Sequence, residues 1–119
     1  MRSRPSKRLL LDDTVVVDHL VVADRPLARM RGLLGRSELP DEEGLWITPC
    51  PSIHMFFMRF PLDVVFVDRE LRVVRIFEGL AVWKTARGGK GARSVFELPV
   101  GTIARSGIAV GSQLAVADA

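Results

Sequence analysis

Apolar residues along this chain come in short clusters separated by charged or turn-forming residues, a spacing that suits strands better than helices. Val15-Val16-Val17 and Leu20-Val21-Val22, split by Asp18-His19, predict a β segment over Thr14 to Ala23. A helix is predicted next: Asp24 caps it, Pro26 sits in its first turn, Leu27, Met30, Leu33 and Leu34 share a face, and Gly35 stops it. Ser37 to Glu43 reads as a loop, Leu45 to Thr48 as a short strand, and Pro49-Cys50-Pro51 as a turn. Ile53 to Phe60 suits a doubly buried strand as well as a helix, up to the break at Pro61.

The β-branched runs Val64 to Val67 and Leu71 to Ile76, parted by Asp68-Arg69-Glu70, predict an antiparallel hairpin. Phe77 to Arg93, with glycines at 79, 88, 89 and 91, reads as one long irregular loop of the kind that is often functional or mobile. Ser94 to Leu98 returns as a strand, Gly101 to Ser106 as a single helical turn, and Gln113 to Ala117 as a last strand after Gly111-Ser112. Six or seven short strands without alternating βα units predict a mainly β fold. The expected architecture is a small single domain, sandwich or barrel-like, with one or two short helices.

At 119 residues, 48% hydrophobic and 26% charged, the chain has the make-up of one ordinary globular domain, which excludes a disordered, collagenous or multidomain protein. The formal charge of +3 is unevenly placed. Arg2, Arg4, Lys7 and Arg8 carry four positive charges in the first eight residues, and the rest of the chain is close to neutral. Residues 1–13 therefore read as a flexible basic tail preceding a domain over 14–119. A second surplus lies between Arg69 and Arg93, where Arg69, Arg72, Arg75, Lys84, Arg87, Lys90 and Arg93 face only Glu70 and Glu78. This stretch can meet anions or nucleic acid. With Trp83 as its one tryptophan and Phe77 its only other aromatic, it reads first as a solvated face, and nucleic acid is not the expected partner.

The lone Cys50 rules out an internal disulfide framework. Leu9 to Leu11 is too short for the roughly 7–15 apolar residues of a signal-peptide core, and no stretch approaches the roughly 20 that span a bilayer as a helix. A cytoplasmic location and no membrane span are the expectations.

Four blocks carry a resemblance: ARMRGLLGR at 28–36, GLWI at 44–47, SIHMFFMRFPLDVVFVD at 52–68 and VFELPVGTIARSGIAVGSQL at 95–114. Together they resemble the DUF192 family over residues 14 to 117. The resemblance implies a compact β-rich prokaryotic domain to which no reaction is assigned. Where the family pattern has Trp-Met-Lys-Asn, this chain has Phe57-Met58-Arg59-Phe60, so no role of that asparagine carries over. Arg31 or Arg36, Met58, Pro61, Leu62, Asp63, Glu97 and Gly101 match the pattern and are the candidates for any shared site.

Chemistry narrows that set. Cys50, His54, Met55, Met58 and Asp63 include metal-ligand types, but alternate residues of one strand face opposite ways and the chain has only two histidines. Methionines filling core gaps are the simpler reading, and no metal or cofactor is expected. Cys50 with His54 and Asp63 has the residue types of a nucleophilic triad without a known spacing. His19 reads as a surface residue. Asp63 opens an apolar strand and needs a partner, for which Arg31, Arg36 or Arg59 could supply a guanidinium; Glu97 interrupts another apolar strand. The leading expectation is a non-catalytic module whose polar cleft, near Arg36, His54, Met58, Arg59, Asp63 and Glu97, binds a small polar ligand or a protein partner. The alternatives are a hydrolase or metal-dependent enzyme using His54 with Asp63 or Glu97, and an anion or nucleic-acid binder through Arg69 to Arg93.

Overall fold

The computed structural model describes residues 7–23, 38–55 and 59–119, so the predicted helix after Asp24 lies outside the described residues. Among the described residues, nine strands and one helix follow in chain order: β1 (Lys7–Leu11), β2 (Thr14–Ala23), β3 (Glu43–Ile47), β4 (Ser52–His54), β5 (Leu62–Val67), β6 (Val73–Leu80), β7 (Thr85–Arg87), β8 (Ser94–Leu98), α1 (Thr102–Ser106) and β9 (Leu114–Asp118). The mainly β expectation holds.

Seven strands form one sheet in the order β6-β5-β8-β3-β2-β1-β9, and β4 pairs with β7 in a separate two-stranded sheet. Of these pairs, β2 and β3 run parallel and the others antiparallel. The large sheet curls until its ends meet. Arg72 and Gln113 form an antiparallel bridge, flanked by Val73 N–H to Ser112 O at 2.9 Å and Leu114 N–H to Leu71 O at 3.0 Å.

The hairpin expected over Val64 to Ile76 is β5–β6. Its turn is organised by Asp68, whose carboxylate accepts from the N–H groups of Glu70 and Arg72, both at 2.9 Å. The stretch expected as one irregular loop is more ordered than its glycines suggest: β6 continues to Leu80, and β7 folds back onto β4.

The basic start departs furthest from expectation. Lys7 to Leu11 belongs to no tail; it is β1, hydrogen-bonded to β2 on one side and β9 on the other. The turn into β2 is two aspartates, Asp12 and Asp13, with φ of 50° and 66°, values that Asp tolerates better than most residues. Pairing also gives two of the segment's four basic side chains a carboxylate partner: Lys7 Nζ lies 2.6 Å from Asp118, and Arg8 Nε lies 2.7 Å from Asp18. Leu9, which follows them in β1, is fully buried.

Two apolar layers result. Inside the curl, Leu9, Val17, Leu20, Val65, Val67, Phe96, Leu98 and Leu114 pack together with Ile103 from α1. Outside it, Leu45, Ile47, Leu62, Val64, Phe66 and Val95 are covered by Ile53, Met55 and Ala86 of the β4–β7 layer. Strand β5 feeds both layers, which is why all six of its residues are buried. Trp46 stacks on Phe96 at 5.4 Å and donates its indole N–H to Ser94 Oγ at 2.9 Å, fixing β3 against β8.

The placement of β1 makes a direct prediction. Leu9→Ala should cost about 2–5 kcal/mol, as for a core leucine, and lower the urea midpoint without changing the slope. A tail residue would leave the midpoint where it was.

Candidate functional site

Asp63 lies on the face of β5 that it shares with Val65 and Val67, inside the curl, and is fully buried. Its carboxylate accepts three hydrogen bonds, all from backbone: Gly79 N–H at 2.8 Å on one oxygen, and Gly101 and Ile103 N–H at 3.1 and 2.9 Å on the other. Gly79 and Gly101 have φ of 63° and 98°, left-handed conformations that glycine adopts at little cost. The residue capping α1, Gly101, offers no side chain, and the first turn holds no acid, so Asp63 caps the helix from a neighbouring strand. Backbone amides thus stand where the sequence suggested a guanidinium.

Glu97 is different. It pairs with Val64 on one side and Leu45 on the other, in the outer apolar layer, and only 7% of its surface is exposed. Burial pushes its pKa from 4.5 up to about 7. No hydrogen bond to its carboxyl occurs among the described residues. Asp63 pairs with Leu98, one residue out of step with the Val64–Glu97 pair, so the two acids point to opposite faces of the sheet. They do not form one pocket.

Only some of the remaining candidates belong to the described residues. His54 ends β4, opposite Thr85 of β7, and Arg59 is exposed just before β5. Cys50 is half-buried beneath the outer layer and donates its thiol to the Ser52 carbonyl at 2.9 Å. Arg31, Arg36 and Met58 lie outside the described residues. His19 is exposed on β2. Among the described residues no three His, Cys, Asp or Glu side chains converge as metal ligands.

Sequence reasoning did not foresee a shallow cleft of about 500 Å3 on another side of the domain, lined by Arg8, Val16, Asp18, Asp41, Glu42 and Arg105. Its walls come from four separate stretches of chain, and nothing in their local sequence marks them as neighbours. Among the described residues, no helix is long and apolar enough to cross a membrane.

The family model DUF192, described as "Uncharacterized ACR", matches residues 10–116. The chain belongs to the DUF192 family. Its relatives include a UPF0127 protein of Thermococcus gammatolerans, 36% identical over 90 residues that make up 71% of this chain and 58% of that protein. Another, from Thermococcus kodakarensis, is 34% identical over 87 residues, or 69% of this chain and 54% of that one. The DUF192 domain described here thus spans little more than half the length of these relatives. A crystal structure from Novosphingobium aromaticivorans, of a protein of unknown function, superposes with a TM-score of 0.80 at 25% identity, covering 92% of this chain and 83% of that one. A Sinorhizobium meliloti protein provisionally described as a transcription regulator shares the fold, with a TM-score of 0.78 at 21% identity and 98% of each chain covered.

Two outcomes follow for these acids. Asp63→Ala leaves three N–H groups without their acceptor and should cost on the order of 3–5 kcal/mol in urea unfolding. Glu97 keeps its proton in the folded state to about pH 7 but loses it near 4.5 when unfolded. The native state therefore binds more protons in that window, and stability should fall as pH rises through it, by on the order of 3 kcal/mol. Glu97→Gln should remove that slope; equal pH dependence in both proteins would show that another group is responsible.

Proposed function

We propose that this DUF192 domain is a non-catalytic binding module that takes a small polar ligand or a protein partner at the outer layer around Glu97. Arg36, His54, Met58 and Arg59 are the other candidate contacts, and Asp63, on the opposite face of the sheet, serves as scaffold. The observation that supports this reading is the Glu97 carboxyl itself. It is set among Leu45, Val64 and Val95, is buried yet still touches solvent, and receives no hydrogen bond among the described residues. A carboxyl in apolar surroundings loses its hydration, and a ligand that donates a hydrogen bond restores what burial removed. A ligand donor has most to gain at such a position. The hydrolytic reading pairs His54 with Asp63 or Glu97, and Asp63, whose oxygens are occupied by backbone N–H groups on the opposite face, is less suited to act as that acid.

The test is thermal unfolding of the wild-type protein and Glu97→Gln against metals, sugars, nucleotides, carboxylates and amines. A ligand at about 100 times its Kd adds roughly 2.7 kcal/mol, or on the order of 10 °C for a domain of this size. A shift in the wild type that disappears in Glu97→Gln is the expected result. A shift of equal size in both proteins would move the site away from Glu97.

A further inference from the structure

The surplus of positive charge between Arg69 and Arg93 survives folding intact. All seven basic side chains, Arg69, Arg72, Arg75, Lys84, Arg87, Lys90 and Arg93, are exposed. The ion pairs among the described residues belong to Lys7 and Arg8, and none of the seven takes part in them. Of the acids nearby, Asp68 has one carboxylate oxygen committed to two backbone N–H groups of its own turn, and Glu70 and Glu78 are exposed and form no ion pair with these cations among the described residues.

The fold also brings together most of the segments that carry these charges, although the Arg72 guanidinium donates to the Gly111 carbonyl at 3.1 Å. Arg93 donates its N–H to Val67 O at 2.8 Å, which sets the 88–93 turn against the hairpin tip that carries Arg69 and Arg72. Arg75 reaches from β6 to the Arg87 carbonyl at 3.1 Å and stacks its guanidinium 4.7 Å above the Phe77 ring, tying β6 to β7. The glycine turn is seated rather than loose. A Cβ on Gly88 would fall 2.7 Å from the Phe66 ring, and the turn is closed by Gly88 N–H to Pro51 O at 2.9 Å and Ala92 N–H to Gly89 O at 3.1 Å. Lys90 and Arg93 are thus held on a fixed backbone, and little loop ordering is left to oppose binding.

We propose that this face, formed by the β5–β6 tip, β7 and the 88–93 turn, docks on the phosphate backbone of duplex DNA without reading its bases. Seven exposed cations, without carboxylate partners among the described residues, match a polyanion. Duplex rather than single-stranded DNA follows from the scarcity of aromatics: a single strand presents bases that need stacking platforms, and among the described residues Trp83 is the one large exposed aromatic. The proposal is independent of the Glu97 reading, since the two rest on different residues.

The test is fluorescence anisotropy of a labelled 20-base-pair duplex at 50 and 200 mM salt. With a net five charges engaged, affinity should fall roughly 500-fold between these concentrations. Arg87→Gln/Lys90→Gln/Arg93→Gln should lower affinity at 50 mM at least tenfold and flatten the salt slope by about one for each phosphate no longer engaged, with unfolding temperature unchanged. Arg69→Gln/Arg72→Gln, at the other end of the face, should act in the same direction. Unaltered binding by both variants, loss of binding only when Arg2 and Arg4 are replaced, or tighter binding of a single strand or of heparin than of the duplex would each overturn the proposal.

Discussion

The Asp63 carboxylate and its three backbone donors tie the entry of α1 to the open end of the β5–β6 hairpin. One oxygen fixes the end of β6 through Gly79; the other fixes the entry to α1 through Gly101 and Ile103. A buried carboxyl group is tolerated only when hydrogen-bond partners surround it. The requirement acts in both directions. The acid needs the amides, and a five-residue helix with no capping side chain needs the acid. Because β5 is buried on both faces and lies between β6 and β8, this single side chain references the helix, the hairpin and the sheet to one point.

That arrangement assigns different tasks to two acids that look alike in sequence. Asp63 and Glu97 sit on adjacent strands, both deeply buried and both beside apolar residues. Pairing one residue out of step turns Asp63 inward to a set of donors and Glu97 outward into an apolar layer that supplies none among the described residues. The first carboxylate is consumed by architecture. The second receives no hydrogen bond among the described residues, and its raised pKa expresses the same burial in terms of protons.

Charge is sorted by the same process. Lys7 and Arg8 are drawn into the sheet and meet Asp118 and Asp18 across neighbouring strands, so the basic start of the chain contributes less free positive charge than its composition suggests. The cations from Arg69 to Arg93 find no such partners among the described residues and remain on the surface, on a tip and a turn made rigid by backbone hydrogen bonds. Among the described residues, the basic side chains of the first strand are thus paired with carboxylates and those of the β5–β7 region are not.

The sequence by itself determined the strand-rich class, the β5–β6 hairpin, β8, the single turn of α1 and the last strand. Each depends on a local signal: β-branched runs, a turn with Asp at its first position, glycines at the helix ends. It also marked Asp63 and Glu97 as anomalies, because an acid in an apolar run is visible without a structure. Only the tertiary structure decided that Lys7 to Leu11 is an inner strand of the sheet, since its partners are a neighbouring strand and one far along the chain at Leu114–Asp118, and a charged pentapeptide carries no local sign of either. It alone decided which acid is satisfied and which is not. Side chains alternate along a strand, so their faces depend on the register between strands distant in sequence, and a slip of one residue would exchange the roles of inside and outside.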